Sequence, residues 1–253
     1  MTPTPLSLTE EQKNRLAQRL SMMSHDRADV GQGLPRTARA LALGQGSDGG
    51  AARLEALVDA LVFERVIVPI DVEPDPRATG VHAGENGHNP IDFVHAQTPA
   101  GEALAIYSSA QALSTHRPGD RPMALDFRTI GLTALVETGG RIVVDPGSAQ
   151  IVVPRPAVAA LAQHDEWLPA WKDAELVSHL RDLAGVGRNG ILDLRISYEG
   201  EGLFRVDVLA DAAFEQGMLR SSLDSALRRM GSSQRLIAAV DRVELTPRLV
   251  RKA

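Results

Sequence analysis

Residues 54–70 read LEALVDALVFERVIVPI, and this stretch decides the fold class. Leu54, Leu57, Val58 and Leu61 recur with the period of a helix that has one apolar face. From Arg65 the character changes. Val66, Ile67, Val68 and Ile70 are β-branched, so their restricted χ1 freedom suits a pleated strand better than a helix. A helix running directly into a hydrophobic strand is an α-to-β unit. A chain built from such units is expected to be a mixed α/β or α+β protein with a mixed sheet.

The same logic continues downstream. Residues 71–90 are rich in proline and glycine and read as a surface loop. Order returns at residues 91–95 and 103–107 as two neighbouring antiparallel strands, with Pro99 to Glu102 turning between them. Ser108 or Ser109 caps a short helix through Leu113, and residues 116–120 form another loop. Met123 to Asp126 suits a short strand. Thr129 to Glu137 suits a helix with Ile130, Leu132, Leu135 and Val136 facing inward, stopped by Gly139-Gly140. Residues 141–144 and 151–153 are buried strands joined as a hairpin by Asp145-Pro146-Gly147-Ser148. Pro156 fits the first position of a following helix that packs through Val158 and Leu161.

Upstream, Thr9 and Gln12 form a capping box for a helix carrying Leu16, Leu20 and Met23, an arm that docks if a groove is available. Glycines in residues 44–50 interrupt regular structure and mark a module boundary. Beyond residues 163–172, which carry Trp167, Pro169 and Trp171, a helix at residues 173–183 packs through Leu176, Val177, Leu180 and Leu183. The period then becomes two: Leu192, Leu194, Ile196 and Tyr198 alternate with polar residues, as do Phe204, Val206 and Val208. Glu199-Gly200-Glu201-Gly202 closes this hairpin. A helix with Leu219, Leu223, Leu227 and Met230 and a strand at residues 240–245 follow. The expected organisation is an arm and linker (1–50), a central domain (51–171) and a small α-β-β-α-β module (172–253).

With 253 residues, 43% of them hydrophobic, the chain is long enough for a substantial core. The absence of cysteine removes disulfides, thiolate nucleophiles and Cys-based zinc sites. Twenty-seven Lys plus Arg against thirty-two Asp plus Glu give a net charge of -5, which offers no global attraction to phosphate backbones or anionic lipid. Nucleic acid and membrane are therefore not expected as partners. MTPTPLSLTEEQK lacks the basic-then-apolar order of a signal peptide, so the expected location is cytoplasmic.

No motif closes on a reaction. His82, Glu85, His88, Asp92 and His95 are metal-ligand types, but a Gly-rich loop offers them no rigid ligand face. His25, His116, His164 and His179 are isolated. Ser108, Ser109 and Ser148 sit in no Gly-x-Ser-x-Gly elbow and suit caps and turns. Asp126, Glu137 and Asp145 read as solvated or ion-paired carboxylates. Gly31-Gln32-Gly33 and Gly44-Gln45-Gly46 follow no strand and make no dinucleotide fingerprint. Arg228-Arg229 belongs on a polar helix face, with Arg248, Arg251 and Lys252 in a terminal tail. No catalytic, cofactor or metal residue is assigned. Trp167 and Trp171 are candidate interaction residues, with packing between the modules as the alternative.

Four stretches together carry a family resemblance: residues 54–70 as quoted, GEALAIYSSAQAL at 101–113, Arg121-Pro122, and RIVVDPGSAQIVVPRPAVAAL at 141–161. In this order they resemble the SseB N-terminal-domain family, a bacterial family named for enhanced serine sensitivity. Where the family pattern has an aromatic followed by Thr-Ser, this chain has Tyr107-Ser108-Ser109, which keeps a hydroxyl at the cap. The resemblance implies the fold of the central domain. It implies no enzymatic activity, cofactor or catalytic residue.

The resulting expectation is a cytoplasmic interaction or regulatory protein. Its modules present a composite surface to another protein or to a second copy, by module closure or arm docking. The alternatives are a small-ligand-binding regulator using the loops at 71–90 and 116–121, and an enzyme whose site assembles from distant residues. No cofactor is expected.

Overall fold

The computed structural model describes residues 29–70 and 93–251. The expected N-terminal capping box and helix, the loop at 71–90, His25, His82, Glu85, His88, Asp92 and Lys252 lie outside the described residues.

Helix α1 (Pro35–Leu41) begins with proline at its first turn, where the missing N–H costs no helical bond. The sequence reading passed over this element. The Glu64 carboxylate receives the Arg36 and Thr37 amides that open it. Helix α2 (Ala51–Leu61) buries Leu54, Leu57, Val58 and Leu61 as its spacing predicts. Strand β1 (Val66–Ile70) follows and pairs antiparallel with β4 (Arg121–Leu125).

Strands β2 (His95–Thr98) and β3 (Gly101–Ile106) pair antiparallel as expected, with the turn tightened to Pro99-Ala100. However, β2 shares only His95 with the expected stretch 91–95, of which residues 91–92 lie outside the described residues. Helix α3 (Ala110–His116) is capped by the Ser109 side chain and extends to His116, which the sequence reading had placed in a loop. Helix α4 (Phe127–Glu137) is capped by Asp126. Its inward face is Phe127, Ile130, Gly131 and Ala134, whereas Leu132, expected inside, is 42% exposed. Helix spacing explains the difference: Phe127, Ile130 and Ala134 share one stripe, and Leu132, two residues from Ile130, falls about 200° around the helix from it.

Strands β5 (Ile142–Val144) and β6 (Ile151–Val153) form the predicted hairpin, and β5 runs parallel to β3. The central sheet therefore has the order β2-β3-β5-β6. Helix α5 (Arg155–Gln163) has Pro154 as its cap residue, which moves Pro156 to the second helical position. Val158 is fully buried and Leu161 is 7% exposed, as expected for its packed side.

The C-terminal module contains α6 (Ala174–Ala184), the antiparallel pair β7 (Ile191–Gly200) and β8 (Leu203–Asp211), α7 (Gln216–Gly231), a short α8 (Gln234–Ala239) and β9 (Arg242–Val250). Strand β9 runs parallel to β8 and ends five residues later than predicted, at Val250 against an expected end at Leu245. Arg248 accordingly belongs to a strand, where its Nε lies 3.0 Å from Asp207 Oδ1. The short α8 was also absent from the sequence reading.

One hydrophobic cluster runs through both parts: it includes Leu54, Leu57, Ile142 and Val153 together with Tyr198, Phe204, Val206 and Met230. The β7–β8 turn closes on the central sheet, because a Cβ added at Gly202 would lie 3.3 Å from both Ala100 Cβ and Val152 Cγ1. Asp241, whose side chain is 1% exposed, accepts the Arg155 amide at 2.8 Å, and the Arg155 guanidinium donates to the Ile237 carbonyl at 2.6 Å. The module that follows residue 172 thus packs directly on the preceding one.

Candidate functional site

The parallel pair β3 and β5 ends side by side, and the carboxyl edge of such a pair is where open α/β sheets commonly bind ligands. Tyr107-Ser108-Ser109 leaves β3 there, and Asp145-Pro146-Gly147 leaves β5. Asp145 is 3% exposed, with a left-handed φ of 50°. Its two oxygens receive the Ser108 hydroxyl at 2.7 Å and the Ser108 amide at 2.8 Å. Burial raises its carboxyl pKa, while the Ser108 bonds pull in the opposite direction.

His116 closes the same cluster from α3. Its Nδ1 lies 2.9 Å from the Tyr107 hydroxyl, and its ring covers Gly147, where an added Cβ would be 2.6 Å from the ring carbons. Burial pushes the Tyr107 phenol up to about 12. The wiring differs from a nucleophile relay, in which the acid orients the imidazole and the imidazole faces the hydroxyl. Here Asp145 holds Ser108 and His116 holds Tyr107. The arrangement clamps the β3 exit onto the β5–β6 turn.

The raised Asp145 pKa has a defined consequence for stability. Its stabilising contribution is fully present below the unfolded-state pKa and is lost as pH rises through the folded-state value. Asparagine at this position keeps an acceptor, tolerates the left-handed backbone and does not ionise. Asp145→Asn is therefore expected to gain stability relative to the parent between about pH 3 and pH 7, measured by denaturant unfolding at each pH. A difference that stays constant with pH would contradict this.

The other polar candidates are dispersed. Ser109 and Asp126 cap helices, and the Ser148 amide completes the turn by bonding the Asp145 carbonyl at 2.9 Å. His95 sits between Glu102 at 3.3 Å and Glu137 at 3.2 Å. His164 ends α5 in a left-handed conformation, and His179 Nε2 meets the Ser233 hydroxyl at 3.1 Å. Among the described residues no group of three or more His, Asp or Glu is placed to hold a metal ion, and no helix is long and apolar enough to cross a membrane.

Trp167 and Trp171 meet edge to face, with ring centroids 5.8 Å apart. Trp171 lies 5.5 Å from Tyr198 and 5.7 Å from Phe204, and its indole N–H donates to Glu55 Oε1 at 2.8 Å. Lys172 pairs with the other Glu55 oxygen. The structure thus brings both tryptophans together at the contact between α2 and the β7–β8 hairpin. Trp167 is half-buried, and neighbouring Leu168 is 59% exposed.

A different surface is apolar and open. Between α7 and β9 runs a groove of about 560 Å³, lined by Phe214, Leu219, Leu223, Leu227, Pro247 and Leu249, with Arg220 and Asp224 beside them. Leu249 is 67% exposed and Met218, next to Leu219, is 55% exposed. Strand β9 is an edge strand. Its Val250 carbonyl bonds toward the β8 side, to the Ala212 amide at 2.9 Å. Alternation along the strand then puts the Pro247 nitrogen on the open side. Proline there costs no bond to β8 and denies an added strand a donor.

The sequence reading missed this groove for a definite reason. It read Leu219, Leu223 and Leu227 as one helix stripe and ended the strand at Leu245, which left Pro247 and Leu249 outside any element. The signal was the period-two continuation Val243, Leu245, Pro247, Leu249.

Nothing among curated proteins and nothing among solved structures matches the chain. A family model does match: residues 38–160 correspond to the SseB protein N-terminal domain.

Proposed function

Residues 38–160 belong to the SseB protein N-terminal domain family, and from that premise we propose that the chain is a protein-interaction or regulatory protein that acts by binding. The observation that carries this reading is the open groove between α7 and β9, where large apolar side chains line a concavity on the surface. Trp167 and Trp171 serve the same function by holding the groove-bearing module against the family domain.

The occupant we propose is an amphipathic helix of a partner protein. Pro247 disfavours an added strand, while the groove follows the axis of α7 and accepts side chains spaced three and four apart. Arg220 and Asp224, one helical turn apart, complement an acidic and a basic residue on such a helix and so set its direction.

A displayed library of helical peptides selected against the full chain tests this. Enriched peptides should share an i, i+3 or i+4, i+7 apolar pattern. Their affinity should fall at least about tenfold with Leu249→Asp, an exposed position whose replacement leaves the core intact. Peptides without that pattern, or peptides insensitive to the substitution, would contradict the proposal. If sedimentation shows a parent dimer that Leu249→Asp converts to monomer, the occupant is a second copy and the partner-helix assignment is overturned.

A further inference from the structure

Three tight turns from different parts of the chain meet at one polar hollow. Gly49-Gly50 leads into α2, Ser148 and Gln150 belong to the β5–β6 turn, and Gly200-Glu201 belongs to the β7–β8 turn. The hollow has a volume of about 180 Å³. Its floor includes Gly50, Leu54 and Tyr198, all buried. It lies where the C-terminal module meets the family domain.

The charge distribution in this hollow is uneven. Arg53, half-buried, lines it and makes no hydrogen bond or ion pair among the described residues. A Cβ added at Gly50 would lie 3.7 Å from the Arg53 guanidinium, so glycine leaves that group room beside the backbone. Gln45, Ser148 and Gln150 add side-chain donors to the same walls. The Tyr198 hydroxyl, which accepts the Gly202 amide at 3.3 Å, retains its own proton to donate. The end of α2 is not the attraction, because Asp48 already takes the Gly50 and Ala52 amides at 3.0 Å and 2.9 Å. Glu201, exposed, is the one acidic residue on the lining.

We propose that this hollow is a binding site for a small oxyanion, held by Arg53 with the Gln45, Ser148, Gln150 and Tyr198 donors. The guanidinium fork matches the two oxygens of a carboxylate or phosphate. Glu201 disfavours a second negative charge, so a monocarboxylate is preferred to a phosphate dianion. The volume restricts the ligand to a few heavy atoms. Because the walls come from both sides of the module contact, occupancy ties the groove-bearing module more firmly to the family domain. This site is separate from the α7–β9 groove and stands or falls independently of it.

The test is calorimetric titration of the full chain with acetate, lactate, succinate and inorganic phosphate at constant ionic strength, with Trp171 fluorescence as a second readout through its contact with Tyr198. One-to-one saturation by a monocarboxylate with a Kd below about 1 mM is expected. Arg53→Gln should weaken it at least about tenfold while leaving unfolding of the ligand-free protein unchanged, because no intramolecular partner is lost. Phosphate binding more tightly than every monocarboxylate would overturn the preference set by Glu201. Absence of saturable binding by all four anions, or binding undiminished in Arg53→Gln, would overturn the site. A destabilised ligand-free Arg53→Gln would reassign Arg53 to a structural role and overturn it as well.

Discussion

Gly49→Ala is expected to destabilise the protein by about 2 to 4 kcal/mol, seen as a lowered denaturant midpoint with an unchanged m-value. Gly49 has a φ of 66°, a region that costs an alanine about 1 kcal/mol on its own. The larger effect is steric. An added Cβ would overlap the Tyr198 carbonyl oxygen and lie 2.9 Å from Glu199 Cα. Those atoms belong to the backbone of β7 and cannot rotate aside. The turn before α2 must therefore withdraw from the hairpin, opening the contact between the modules. A Gly49→Ala protein as stable as the parent would mean that this turn does not seat against β7.

Trp171→Ala is expected to cost about 3 kcal/mol. A fully buried tryptophan would lose more, but this one is half-buried. The indole contacts Tyr198, Phe204 and Trp167, and its N–H is bound to Glu55. Removing it deletes packing and leaves the Glu55 carboxylate to Lys172 alone. Trp171→Phe divides the two contributions, since it keeps a ring against Phe204 but loses the hydrogen bond and part of the indole packing, an expected cost of about 1 to 2 kcal/mol. Equal losses in the two variants, read by denaturant unfolding, would show that ring packing contributes little to the contact.

Much of the architecture was legible because its signals are local. The apolar period of residues 54–61, the β-branched run after Arg65 and the alternation from Leu192 to Val208 each report a face that must be buried. The hydroxyl before α3 marks a helix start through a bond to an orphan amide. Asp126 and Asp173 do the same for α4 and α6, but Asp126 reads as the end of a strand and Asp173 as part of its helix, so those two caps were not legible. Elements escaped where the local signal was short. Helix α1 has seven residues and α8 has six, too few for two apolar turns to repeat. Strand β9 runs on past the expected end at Leu245 through Pro247, which an outward-facing edge position tolerates.

The candidate sites were harder to see, for a physical reason. The groove needs α7 and β9 side by side, and the polar hollow needs residues 45–53, 148–150 and 198–201 together, relations that only the packed chain establishes. Ser108 and Asp145 illustrate the same limit. Each was recognised as a capping or turn residue, but their mutual bond across thirty-seven positions has no trace in spacing. Trp167 and Trp171 were legible as a pair, while their partners Glu55, Tyr198 and Phe204 were not.

The most direct test of the interaction account is a methyl chemical-shift map of the full chain titrated with the helical peptide selected in the display experiment. The account predicts saturable shifts at Leu219, Leu223, Leu227, Leu249 and Met218, with the family-domain methyls of Val143, Ile67 and Leu113 unmoved. Shifts centred on the family domain, with the α7–β9 leucines silent, would contradict it.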